Sequence, residues 1–277
     1  MNPVLQEFCL DLDRLRRICS VSEALTIFRS CAHEPGMITD EELKAVSSRL
    51  HETTLAAHAE MPILNGVLLL YLAGRFENFV RELFEDLSDT IAGQCGQFTH
   101  LPRQMRDNLT KYTAEVVANP RKYGHGENGV IAFVSTMADN LNGRPLVGVN
   151  SKCLSITSEN MWPDTLAEIF SRIGASNLWE RLGQQASVQT FFQMDQPEKA
   201  TKEARRFLTE FMGLRNQIAH PSGALAWPSM EGTIYHINFC EIMGRALADV
   251  CAVWALTLGT RQVRVQQAAA SDAIQHA

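Results

Sequence analysis

The sequence lacks paired cysteines. Its seven cysteines (Cys9, Cys19, Cys31, Cys95, Cys153, Cys240 and Cys251) never fall within four residues of each other. That spacing excludes a zinc ribbon and a redox dithiol, and the odd count argues against a disulfide framework. A reducing cytoplasm is the expected compartment. Positive charge is not in excess either: the net charge is −6 at pH 7. The surface as a whole therefore does not attract nucleic acid, and any contact with RNA or DNA requires a local basic patch in an acidic background. The most apolar run, residues 61–73 (MPILNGVLLLYLA), falls short of the roughly 20 residues of a membrane span and passes into an amphipathic pattern. It is expected to be a buried helix, with no membrane partner. The N-terminal stretch MNPVLQEFCLDLDRLRR has charges where a signal peptide must be apolar.

Familiar catalytic signatures are missing as well. There is no phosphate-binding P-loop, no His-Glu-x-x-His and no nucleophile elbow, and no internal repeat. Residues 124–129 (GHGENG) match G-x-G-x-x-G, but no strand precedes them and no strand–helix alternation surrounds them, which argues against a dinucleotide site. His51 and His58 share a helical face without an acidic or cysteine ligand to complete a metal site. No metal and no cofactor is expected.

What the chain has is helical periodicity. It is 277 residues long, 45% hydrophobic and 20% charged, the profile of a packed globular protein. Residues 3–30 place Leu5, Phe8, Leu12, Leu15 and Ile18 at gaps of three and four. Pro35 and Gly36 make a turn. Thr39 and Asp40 cap a second helix that runs to about residue 60. Pro62 opens a third, 62–92, with the stripe Leu64, Leu68, Leu72, Phe76, Phe79, Leu83 and Leu87. Weaker helices fall near 102–118 and 128–140. Residues 141–162 are rich in Gly, Ser and Asn and fit a long loop or a small hairpin. Helices follow at 164–173 and 177–182, then at 197–218 with the stripe Phe207, Phe211, Leu214 and Ile218. The last, 232–258, leads into a polar tail from Arg261 that is expected to fray. The expected architecture is an all-α helical bundle. Its division is an N-terminal helical extension (1–60), a main helical domain (61–260) and a polar tail (261–277).

One stretch carries chemistry. Arg215-Asn216-Gln217-Ile218-Ala219-His220 ends an apolar helix and is followed by Pro221. Five residues on a continuous helix set Arg215 and His220 apart in angle. Proline disfavours the helical conformation of the residue before it, so His220 should leave the helix, and Gly223 lets the chain turn back. A guanidinium is always charged and grips phosphate, and an imidazole titrates near neutrality, so the pair can bind a phosphate and move a proton without a metal. The spacing alone arises by chance about once in two chains of this composition. A plainer role also fits it, with Arg215 covering exposed carbonyls and His220 capping the helix.

The surrounding residues favour the chemical role. Leu214-Arg215-Asn216-Gln217-Ile218-Ala219-His220 resembles the Arg-Asn-x-x-x-His signature of the HEPN superfamily, and within it the RiboL-PSP-HEPN type. Arg75-Phe76-Glu77-Asn78-Phe79 is similar to that family's acidic and aromatic helix, and Ile173-Gly174 before Asn177-Leu178-Trp179 adds a third likeness. The resemblance covers about residues 61–260 and implies a four-helix core with additional N-terminal helices. It also implies a metal-independent endoribonuclease that dimerises so that two motifs line one cleft. The RNA 2′-hydroxyl attacks the adjacent phosphate, with His220 as general acid or base, Arg215 bracing the phosphorane and Asn216 binding phosphate or orienting the histidine. A toxin or antiphage effector, held by an antitoxin or regulatory protein, is the implied setting. Where family members silenced on a tyrosine carry that residue, this chain has Ser222.

Glu77 falls among Ala73, Val80 and Phe84, at the edge of an apolar face where a carboxylate needs a partner. Orienting Arg215 or His220 and pairing with Arg81 at i+4 are both open. Lys202, Arg205 and Arg206 precede the motif on its helix and are candidates to guide an RNA backbone. A solvated face paired with Glu198 and Glu203 competes with that role. Arg103, Arg106 and Lys111 form a similar weak patch. Trp162, Trp179, Trp227 and Trp254 read as packing. The acidic net charge leaves a non-catalytic helical interaction module as the alternative function, and a nucleotide-sensing module that holds phosphate through Arg215 as another.

Overall fold

The computed structural model describes residues 2–30, 38–221 and 226–275, with side chains through residue 258. Pro35, Gly36, Cys31, Ser222 and Gly223, on which the sequence reading placed a turn, a thiol, an absent tyrosine and a chain reversal, lie outside the described residues. The fold is 81% helical, and the described residues contain no strand. The long helices are α1 (Pro3–Ser30), α2 (Glu41–Ala56), α3 (Met61–Cys95), α4 (Arg103–Ala118) and α5 (Glu127–Leu141). Four short ones follow, α6 (Ser151–Leu154), α7 (Pro163–Ser171), α8 (Leu178–Gly183) and α9 (Ala186–Phe192), before α10 (Pro197–Ala219) and α11 (Met230–Gln275).

Most helix starts follow their local code. The Asp40 side chain accepts the Leu43 N–H at 2.9 Å and caps α2. Pro163 sits in the first turn of α7, where its missing N–H costs nothing. Gly174, at φ +86°, and Asn177, at φ +59°, make the left-handed turns between α7 and α8. Of the two forms open to residues 141–162 the structure takes the loop: beyond Leu141 they are coil around the single-turn α6. Two features differ from the sequence reading. Helix α9 has no counterpart in the sequence reading, because seven residues are too few for a clear period. The tail does not end the last helix, which continues to Gln275, as its alanines and glutamines favour.

The chain clusters into two compact units, each drawn from separate stretches of the sequence. The first comprises residues 1–5, 77–209 and 242–277, and the second residues 6–76 and 210–241. In the first, Phe170 lies at the centre of the core, 5.5 Å from the Phe84 ring and 5.6 Å from that of Trp254. Buried Trp179 donates its Nε1–H to the Pro163 carbonyl at 2.9 Å, so this tryptophan packs, as the sequence suggested. Arg172 is only 6% exposed. It grips Glu168 with Nε and Nη2 at 2.9 and 2.6 Å and stacks 4.1 Å from the centre of the Tyr112 ring. Its Nη1 also donates to the carbonyls of Leu154 and Ile156 at 2.5 and 2.8 Å, tying down the loop around α6.

In the second unit Phe8, Leu12, Leu15, Leu69, Leu72, Phe76, Phe211 and Phe239 are fully buried. Asp11 is buried with them and pairs with Arg75 at 2.6 Å and with Arg14. The apolar run 61–73 is partly the buried helix expected: Leu68, Leu69, Leu72 and Ala73 are covered, but Ile63, Leu64, Val67 and Tyr71 are exposed. It belongs to a helical stretch, Glu41–Cys95, that is long and apolar enough to cross a membrane by length and composition alone, with 28% of the qualifying window buried.

The six described cysteines are free thiols. Burial pushes Cys153 up to about 11 and raises Cys95, Cys240 and Cys251 as well, which keeps them protonated and unreactive.

Candidate RNA-processing site

The motif lies in the second unit, at the C-terminal end of α10. Buried Phe211, Met212 and Ile218 fix the helix against its unit. This leaves Arg215 and Asn216 half-buried and His220 exposed. The helix ends at Ala219, and His220 stands just beyond it, as Pro221 requires. Its N–H still donates to the Asn216 carbonyl at 3.0 Å, so the exit is tightly held. Arg215 Nη1 donates to Asn216 Oδ1 at 3.2 Å. The structure thus brings Arg215 and Asn216 together, with His220 one turn further on.

Among the described residues Arg215 makes no ion pair, and its Nε is buried without a hydrogen-bond partner. A neutral amide is its only hydrogen-bonding neighbour there, so its charge is uncompensated, and a phosphate oxygen would satisfy it.

A close approach that the sequence reading missed braces this helix end. A Cβ built on Gly66 of α3 would lie 2.5 Å from the Trp227 ring and 3.5 Å from Ile218 Cγ2. Only glycine lets α3 come this near. Next to it, Asn65 donates to the Pro228 carbonyl at 3.0 Å and ties the segment before α11 to α3. A glycine inside an apolar helical run was the available signal.

The other candidates are placed differently. Glu77 belongs to the first unit, where its carboxylate accepts the Met161 N–H at 3.3 Å. Among the described residues it makes no ion pair with Arg81, whose Nη2 donates instead to Thr157 Oγ1 at 2.7 Å. Lys202, Arg205 and Arg206 are exposed on the first-unit part of α10. Arg205 pairs with Asp164 at 2.8 Å and lies 5.8 Å from the Trp179 ring centre. Arg206 pairs with Glu203, and that guanidinium holds the Glu203 carboxyl below its ordinary range. The sequence reading had named Glu203 as a partner but not Asp164. Lys202 makes no ion pair among the described residues.

The family model for RiboL-PSP-HEPN matches residues 39–252, about three-quarters of the chain. The chain belongs to the RiboL-PSP-HEPN family. This is an all-α HEPN-type domain, RNA-related at the level of the family. The match begins ahead of the resemblance read from the sequence, so α2 falls inside the HEPN region. No curated protein and no solved structure matches the chain.

Proposed function

We propose that this HEPN protein is a metal-independent endoribonuclease whose reacting groups are Arg215, Asn216 and His220. The observation that carries the reading is the Arg215 guanidinium. It sits beside a neutral amide and makes no ion pair among the described residues, at a helix end that exposes an imidazole. In the proposed reaction the 2′-oxygen of a ribose attacks the adjacent phosphorus and the bond from phosphorus to the 5′-oxygen breaks. His220 takes the 2′-hydroxyl proton or supplies one to the departing 5′-oxygen. Arg215 balances the charge that grows on the phosphorane, and Asn216 holds the guanidinium in place. The products are a 2′,3′-cyclic phosphate and a 5′-hydroxyl. Glu77, whose carboxylate accepts the Met161 N–H, has no part in the bond-breaking step as proposed here.

A second copy of the chain is the proposed partner, giving a composite site from two motifs. The exposed apolar residues Ile63, Val67 and Tyr71 on α3, with Leu43, Val46 and Leu50 on α2, support an interface between copies. A cytoplasmic toxin or antiphage effector under control of an antitoxin or regulatory protein is the biological setting proposed with it.

The test is RNA cleavage by the purified chain and by His220→Ala and Arg215→Ala. Loss of at least about 100-fold in His220→Ala, with unchanged helicity, is expected for removal of a general acid–base group. Full activity in that variant refutes the assignment. RNA that is bound but never cut favours the alternative of a non-catalytic module, which the acidic net charge also suits.

A further inference from the structure

The first unit contains a cavity of about 320 Å³ beside the glycine-containing stretch 124–129. Its walls are unusual for this acidic chain. Arg81, Lys122 and Lys152 bring three positive charges to it, against the single carboxylate of Glu85. That carboxylate accepts one hydrogen bond from the hydroxyl of buried Ser155. We infer that this cavity binds a nucleotide through its phosphate group, at a site separate in sequence from the Arg215–His220 motif.

Several observations make it a built site rather than a chance cluster of surface lysines. The Arg81 guanidinium is fixed by one hydrogen bond, from Nη2 to Thr157 Oγ1 at 2.7 Å. Its Nε is buried and has no hydrogen-bond partner, and it makes no ion pair among the described residues. An unsatisfied buried donor on a charged group calls for an acceptor oxygen, and a phosphate supplies three. Lys152 also makes no ion pair among the described residues. Lys122 pairs with Glu115 at 4.0 Å and lies 4.9 Å from the Tyr123 ring centre, so it is the least free of the three cations. The wall that carries Ser155 and Thr157 is held rigid from behind, because Arg172 binds the carbonyls of Leu154 and Ile156. A ligand therefore meets preplaced donors.

Aromatic rings in the lining point to a nucleotide rather than a bare anion. Tyr123 and His125 both line the cavity; Lys122 Nζ lies 4.9 Å over one face of the Tyr123 ring, whose hydroxyl is bound to Glu115, so His125 is the ring more open to a base. His125 is held edge-on against Phe133, with ring centroids 4.9 Å apart and planes at 89°. Gly124, at φ +73°, makes the turn between the two rings. The glycine pattern is thus no dinucleotide fingerprint, but its first residues present a ring to a cationic cavity. The volume falls in the roughly 300–1,000 Å³ range of small-ligand sites. The nucleotide can come from two sources, a free nucleoside monophosphate or one unit of a single-stranded RNA.

Calorimetric titration of the full chain tests this with two probes, a nucleoside 5′-monophosphate and a short 2′-O-methyl RNA that cannot be cleaved. Saturable binding of either is expected, weaker in higher salt. Lys152→Glu and Lys122→Glu, both at exposed positions, should each weaken it at least tenfold. Arg81→Gln should weaken it further, while exposed Arg144→Glu leaves it unchanged. Binding of the monophosphate identifies a free nucleotide as the ligand, and binding of the RNA alone identifies a strand. Equal affinity in wild type and all three cavity variants, or no saturable binding of either probe by the wild type, overturns the inference.

Discussion

Asp11 is a carboxylate at 4% exposure in the core of the second unit, and two arginines surround it. A buried charge is tolerable only while it is paired. Asp11→Ala should therefore leave Arg75 uncompensated and cost about 3 kcal/mol, measured by denaturant unfolding; Asp11→Asn should cost less. His236 gives a pH-dependent contribution. Burial lowers its imidazole below the ordinary value, although its Nδ1 contact with the Gly232 carbonyl at 2.7 Å and the Glu210 charge oppose this. The folded state thus prefers neutral His236. The stability this adds is complete above the ordinary histidine range, near pH 6.5, and is lost as pH falls through the lower folded value. His236→Phe, which keeps a ring against Phe211, should flatten the fall in Tm between pH 7.5 and 5.5. An unchanged slope would contradict this. Arg215 and His220 were legible in the sequence because their signal is local, an apolar helix stopped by a proline. Asp11 and Arg172 were not, because their partners or their burial depend on segments distant in the chain or on loops without a period.

At the scale of elements, apolar periodicity and caps located α1 to α5, α7, α8, α10 and the start of α11 to within a few residues. Short elements escaped, since α6 and α9 span too few turns to show a stripe. Faces were harder to read than helices. The stripe assigned to α3 as core includes Leu64, which is 36% exposed, and α2 buries no residue at all. Tight crossings were also invisible. A Cβ on Gly183, at the end of α8, would fall 2.6 Å from the Pro197 carbonyl oxygen and 1.9 Å from Thr201 Oγ1. Backbone cannot step aside, so Gly183→Ala should destabilise by about 1–3 kcal/mol through overpacking. Gly66→Ala meets the Trp227 ring instead. It should displace the Trp227 ring beside the motif and lower RNA cleavage with little loss of Tm. A strong loss of Tm with full cleavage would contradict that assignment.

The whole molecule combines a net negative charge with two arginines that make no ion pair among the described residues, Arg215 in one unit and Arg81, beside Lys122 and Lys152, in the other. The fold class and family were legible, because they rest on helical period and one compact motif. The interleaving of the units was not, since it depends on α3, α10 and α11 each contributing to both. If the exposed faces of α2 and α3 join two copies, light scattering should report a dimer, and Val67→Glu with Tyr71→Glu should give a monomer with reduced cleavage. The most direct measurement is end-group analysis of RNA incubated with the protein and a chelator. The account predicts fragments ending in 2′,3′-cyclic phosphate and 5′-hydroxyl, formed by the wild type and not by His220→Ala. Intact RNA, or fragments with the same ends from both proteins, would contradict it.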